Sequence, residues 1–122
     1  MLAFETDNKP KIPVAELEKM HIADVLHDER DFKIVVDGQT MLYIQHFPVW
    51  ELAQYCLKWI KKPKKDFIYN TIESEENPLI AFRKLKYGWK IESVWQKFEC
   101  KRLFSDNDVI NFARELLYQV TY

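Results

Sequence analysis

Glycine is nearly missing from this chain: Gly38 and Gly88 are the two in 122 residues. Phosphate-cradling loops need several glycines so that backbone N–H groups can approach the anion. Here each glycine is accounted for by a hairpin turn, which argues against nucleotide hydrolysis and dinucleotide chemistry. Five prolines and two glycines also leave little sequence for flexible linkers, so residues 1–122 read as a single domain. Cys56 and Cys100 lie in no Cys-x-x-Cys motif, and reduced, buried thiols are expected. His21, His27 and His46 lack His-Glu-x-x-His spacing and have no cysteine cluster beside them, so neither a metal nor another cofactor is expected. No apolar run approaches the roughly 18 residues of a membrane span. Met1 to Asp7 has no basic stretch followed by an apolar one, so no secretory signal is read and a cytoplasmic location is expected. An excess of one charge is missing too: 18 Lys and Arg face 19 Asp and Glu. That balance supplies no general attraction to nucleic acid or an anionic membrane, and an electrostatic partner must be met by a local patch.

What is abundant is apolar and aromatic residues, 48% and 15% of the chain, far above what disordered chains carry. Phe32–Val36 and Met41–Gln45 are β-rich runs around Asp37-Gly38, a pair that accepts the positive φ angles of a two-residue hairpin turn. Period-2 alternation puts Phe32, Ile34 and Val36 on one face, with Leu42 and Ile44 on the partner strand. From Pro48, suited to a first helical position, Val49, Leu52, Ala53, Cys56, Leu57 and Ile60 recur at helical spacing, and Pro63 ends the helix. Asp66–Thr71 reads as a strand and Ile72–Pro78 as a loop. Leu79–Lys86 and Trp89–Gln96 read as a second hairpin turning at Tyr87-Gly88, with Trp89, Ile91, Ser93 and Trp95 on one face. Ser105 can cap a helix over about 106–119, whose stripe is Val109, Phe112, Ala113, Leu116, Leu117 and Val120. Near the N-terminus, Leu2–Glu5 reads as a strand and Pro13–Met20 as a short helix with Val14 and Leu17 inward. The order predicts an α+β fold: an antiparallel sheet of hairpins and a meander, with two amphipathic helices packed on it.

No catalytic set emerges, and an enzyme is not expected. Cys56 sits on an apolar helical stripe, where packing outweighs reaction with His46, and Cys100 carries no motif. Glu73, Glu75 and Glu76 are carboxylates of one polar loop, without the unequal environments that acid and base roles require. Two charge clusters remain. The acidic loop suits docking onto a basic protein partner, whereas Lys61, Lys62, Lys64 and Lys65 could meet phosphates while Tyr69, Tyr87 and Trp89 stack bases. Either cluster could instead simply keep a loop solvated. Of Trp50, Trp59, Trp89 and Trp95, any exposed one would be an interface anchor, and Trp89 joins Glu73, Glu75 and Glu76 as the expected protein-binding set.

The stretch from Trp50 to Leu117 resembles small bacterial immunity proteins encoded beside polymorphic or contact-dependent toxins. The resemblance is carried by Glu51-Leu52-Ala53 through Leu57-Lys58-Trp59, by Glu76-Asn77-Pro78-Leu79-Ile80-Ala81-Phe82, by Gly88-Trp89-Lys90-Ile91, and by Ser93-Val94-Trp95-Gln96. It implies a cytoplasmic single-domain binder that occludes a cognate toxin. A nucleic-acid accessory protein, a small enzyme or ligand carrier with a pocket near His46 or Cys56, and a homodimer paired through an uncovered strand edge stay open beside it.

Overall fold

The computed structural model describes residues 1–71 and 74–122. Leu2–Thr6 forms β1, Val14–Lys19 α1, Ile22–Val25 α2, Glu29–Val36 β2 and Gln39–Pro48 β3. Val49–Trp59 is α3, Phe67–Tyr69 β4, Ile80–Leu85 β5, Gly88–Glu92 β6 and Asp106–Val120 α4. The strands make two antiparallel three-stranded sheets, ordered β1-β2-β3 and β4-β5-β6. The fold is α+β and antiparallel, with the strands divided between two sheets.

Asp37 and Gly38 take φ of 50° and 82°, the left-handed pair of a type I′ turn, and Val36 pairs with Gln39 across it. Phe32 and Ile34 then lie opposite Ile44 and Leu42. Two irregularities interrupt the ladder. Both Met41 and Leu42 are buried next to the first, and His46 at the second takes φ of 54°. Each inserts one residue into β3, so Phe47 regains the core face after the alternation has slipped. The simple period-2 reading stops at Gln45 for that reason, although the strand continues to Pro48.

Pro48 precedes α3 as its N-cap instead of occupying the first helical position. Val49, Leu52, Ala53 and Cys56 are buried, and the helix ends at Trp59 with Ile60 as the C-cap. In α4 the Asp108 N–H donates to Ser105 Oγ at 3.1 Å, and the Ser105 N–H donates to Asp108 Oδ2 at 3.0 Å. This reciprocal cap satisfies two of the free donors of the first turn. In α1 Leu17 is buried whereas Val14 is exposed, and the single turn of α2 has no sequence counterpart in the expected elements.

Phe112 of α4 joins the sheets. Its ring meets Phe4 of β1 edge-on at 5.5 Å and Phe82 of β5 at 5.3 Å. From Phe4 the aromatic contacts run through Phe32 and Phe47 to Tyr69, and from Phe82 through Phe67 and Trp59 to Trp89. One hydrophobic core therefore spans both sheets, α3 and α4. A large aromatic side chain contributes area and preferred edge-on geometry together, so this chain of rings sets how the two sheets face α4.

Candidate interaction surface

Beyond β6 the chain turns at Ser93–Gln96. The Ser93 N–H donates to Gln96 Oε1 at 2.8 Å, and the Trp95 N–H donates to Ser93 Oγ at 3.1 Å. Two main-chain bonds tie this turn to other elements: Val94 N–H to the Pro78 carbonyl at 3.1 Å, and Lys97 N–H to the Met41 carbonyl at 2.7 Å. The turn is thus held on both sides. Val94 is exposed, and Trp95 retains 41% of its surface in solvent.

Ser74–Pro78 lies beside this turn. Asn77 acts as a staple: Oδ1 accepts from the Thr71 N–H at 3.1 Å, and Nδ2 donates to the Ser74 carbonyl at 2.9 Å. Ser74 Oγ accepts from the Glu76 N–H at 3.1 Å, and the Asn77–Pro78 peptide is cis. Trp95 Nε1 donates to the Glu76 carboxylate, which fixes the indole plane next to the acidic loop. Glu75 and Glu76 are exposed, and among the described residues neither has an ion-pair partner. Glu73 lies outside the described residues. The result is a half-exposed aromatic with a carboxylate locked on its edge and a second carboxylate beside it in sequence. Nineteen residues separate Glu76 from Trp95, and no local pattern links them.

Trp89 corrects the expectation of an exposed anchor there. It is 1% exposed, packs edge-on against Trp59 at 5.8 Å, and donates Nε1 to Asp106 Oδ1 at 2.6 Å. Backbone bonds of 2.8 and 2.9 Å to Phe104 close the edge of β6 over it. The supposed single face of Trp89, Ile91, Ser93 and Trp95 ends with the strand at Glu92, so three are buried while Trp95 emerges.

In the basic connector Lys62, Lys64 and Lys65 are exposed, and Lys61 pairs with Glu18 at 3.2 Å. The Lys65 carbonyl accepts from Trp59 Nε1 at 2.8 Å, giving the connector a structural role at the end of α3. Of the three aromatics expected to stack bases, Tyr69 and Trp89 are buried and Tyr87 alone is exposed, with Lys86 over its ring.

The nucleophile candidates do not assemble. Burial pushes the Cys56 thiol far up, away from thiolate formation, while His46 projects into solvent beside Glu29 at 3.5 Å. Cys100 is buried with Sγ 3.8 Å from the Arg102 carbonyl. Among the described residues, no three His, Cys, Asp or Glu side chains converge on a metal position, and no helix is long and apolar enough to cross a membrane.

The sequence profile of a family described as Domain of unknown function (DUF7878) matches residues 2–121. The chain belongs to the DUF7878 family. No curated protein and no solved structure matches it. In this DUF7878 domain Glu75, Glu76, Val94 and Trp95 form a surface on which a half-exposed aromatic, two exposed carboxylates and a stapled backbone coincide.

Proposed function

We propose that this chain is a non-enzymatic protein-binding domain, a cytoplasmic immunity protein that neutralises a cognate toxin by occluding it. The observation that carries the reading is the Trp95 indole, half exposed and held by Glu76. An aromatic restrained before binding loses little conformational freedom in a complex, so its contact area converts more fully into affinity. The exposed carboxylates of Glu75 and Glu76, without an ion-pair partner among the described residues, favour a basic partner and would speed encounter more than they would tighten the final complex. A toxin that acts on nucleic acid presents such a basic surface.

The test is capture of partners from native cell extract at two salt concentrations, using the wild type, Trp95→Ala and the pair Glu75→Lys/Glu76→Lys. The expected result is one stoichiometric protein that survives high salt. Trp95→Ala should weaken it by about 2 kcal/mol or more, roughly thirtyfold, and the charge reversals should mainly slow association. Salt-labile nucleic acid as the sole captured species would overturn the reading in favour of the exposed lysines. A captured protein indifferent to both variants would remove the assigned surface.

A further inference from the structure

The exposed edge of β1 carries a self-complementary strand. The Asp37 N–H donates to the Met1 carbonyl at 2.8 Å, and β1 pairs with β2 in the register Leu2↔Val36 to Thr6↔Phe32. In an antiparallel ladder alternate residues exchange both main-chain bonds with the neighbour. Ala3 and Glu5 therefore bond β2, and the N–H and C=O of Leu2, Phe4 and Thr6 point the other way. Among the described residues nothing pairs with them. On the other long edges, Phe104 exchanges both main-chain bonds with Trp89 of β6, and the Lys97 N–H donates to the Met41 carbonyl of β3. Beneath the β1 edge runs a groove of about 320 Å³, its lining including Leu2, Ala3 and Phe4 of the strand and Phe112, Glu115 and Gln119 of α4.

We infer that a second copy of this chain occupies this edge, its β1 antiparallel to the first about a two-fold axis at Phe4. Phe4 then faces Phe4 of the partner, and Leu2 faces Thr6 of the partner on either side. All three outward residues of each copy are paired, giving six main-chain hydrogen bonds and one continuous six-stranded sheet. The charge pattern selects this register. Glu5 falls opposite the partner's Ala3, with Lys33 already 4.0 Å from its carboxylate on the neighbouring strand. Sliding by one bonded pair toward Thr6 would set the two Glu5 side chains against each other, a like-charge cross-strand contact that destabilises. Phe4 is half-buried against Phe32 and Phe112, and the partner's Leu2 and Phe4 would cover the remaining apolar wall of the groove. The edge itself has neither proline nor lysine, the usual devices that keep strand edges apart.

Sedimentation of the full chain over a concentration series, with the charge variants Ala3→Lys and Ala3→Glu, tests the pairing. Ala3 lies on the opposite strand face from Phe4, so neither variant enters the core. The wild type should form dimers. Ala3→Lys, facing the partner's Glu5 twice per dimer, should tighten the dimer by roughly 2- to 30-fold, and Ala3→Glu should loosen it by a similar factor. Hydrogen exchange at the Leu2, Phe4 and Thr6 amides should slow as concentration rises. A monomer at every concentration overturns the inference, and so does a dimer whose affinity neither variant moves. Protection of those amides only by an extended segment of a different protein would also overturn it, by making the edge a site for a foreign strand.

Discussion

Arg30 donates Nε to both carboxylate oxygens of Asp28, at 3.0 and 3.1 Å, and both side chains are buried. Arg30 Nη1 also reaches the Asp7 carbonyl at 3.2 Å, and the Asp28 carbonyl accepts from the Val49 N–H at 3.3 Å. The pair thus clamps the start of β2 to the chain after β1 and to the start of α3. Arg30 Nη2 is buried without a partner among the described residues, so the guanidinium depends heavily on Asp28. Asp28→Ala is expected to cost about 3–5 kcal/mol, because it strands a buried cation, whereas the double change Asp28→Leu/Arg30→Met should cost much less. Urea unfolding of the three proteins checks this; a single variant no worse than the double would dismiss the clamp.

Tyr69 and Glu51 form a second buried link, with the Tyr69 hydroxyl donating to Glu51 Oε1 at 2.5 Å. Burial first, and then the Glu51 carboxylate, push the Tyr69 phenol far up, so it stays a donor throughout the accessible pH range. Among the described residues Glu51 Oε2 has no partner. Tyr69→Phe should therefore leave a buried carboxylate with neither oxygen bonded by a side chain, at about 1–3 kcal/mol. Adding Glu51→Leu should restore part of the loss in thermal or urea melts; a further drop would show that Glu51 is held by something other than Tyr69.

The two glycines should respond unequally to alanine. At Gly38, φ is 82° and a Cβ would meet nothing within 4 Å, so Gly38→Ala carries only the left-handed backbone penalty of about 1–2 kcal/mol. At Gly88 a Cβ would lie 3.0 Å from the Phe104 carbonyl oxygen and 3.1 Å from Leu103 Cβ. Gly88→Ala must also push back the segment bonded to Trp89, adding about 1–3 kcal/mol. Equal losses in denaturant midpoint would mean that residues 103–104 yield freely.

Acid should remove a specific tie. Lys84 first, then the Trp89 indole, hold the Asp106 carboxyl below its ordinary value of 3.8, with the Lys84 Nζ and Trp89 Nε1 each 2.6 Å from Oδ1. A carboxyl with a depressed folded-state pKa stabilises above its unfolded value and loses that contribution as pH falls through the folded one. The stability gap between wild type and Asp106→Asn should be constant above about pH 5 and shrink below 3.8. A gap that is flat down to pH 2 would show that Asp106 acts through neither contact.

The elements that were legible share short-range causes. The Asp37-Gly38 turn needs only two residues that tolerate positive φ, and α4 announces itself through Ser105, Asp108 and a stripe repeating every three to four residues. Where the local pattern slips, legibility stops: the inserted residues in β3 hide the end of the strand from His46 to Pro48, and the single turn of α2 is too short for any periodicity. Of the expected protein-binding set, Glu75 and Glu76 are exposed as polar loop residues should be, while Trp89 is buried and Trp95, which the alternation placed on the same face, is the exposed indole.

Sequence alone determined the antiparallel α+β class, the Asp37-Gly38 turn and the two amphipathic helices, because turn preference and side-chain periodicity act within one segment; the second hairpin turns at Lys86-Tyr87, one residue before the expected Tyr87-Gly88, with Gly88 already paired to Leu85 in β6. Only the tertiary structure decided that the strands divide into two sheets around Phe112, that Phe104 closes over Trp89, and that Glu76 fixes Trp95 at the surface. Those outcomes depend on which distant chain segment reaches an edge first, and an aromatic residue reads the same in sequence whether or not another segment arrives to cover it.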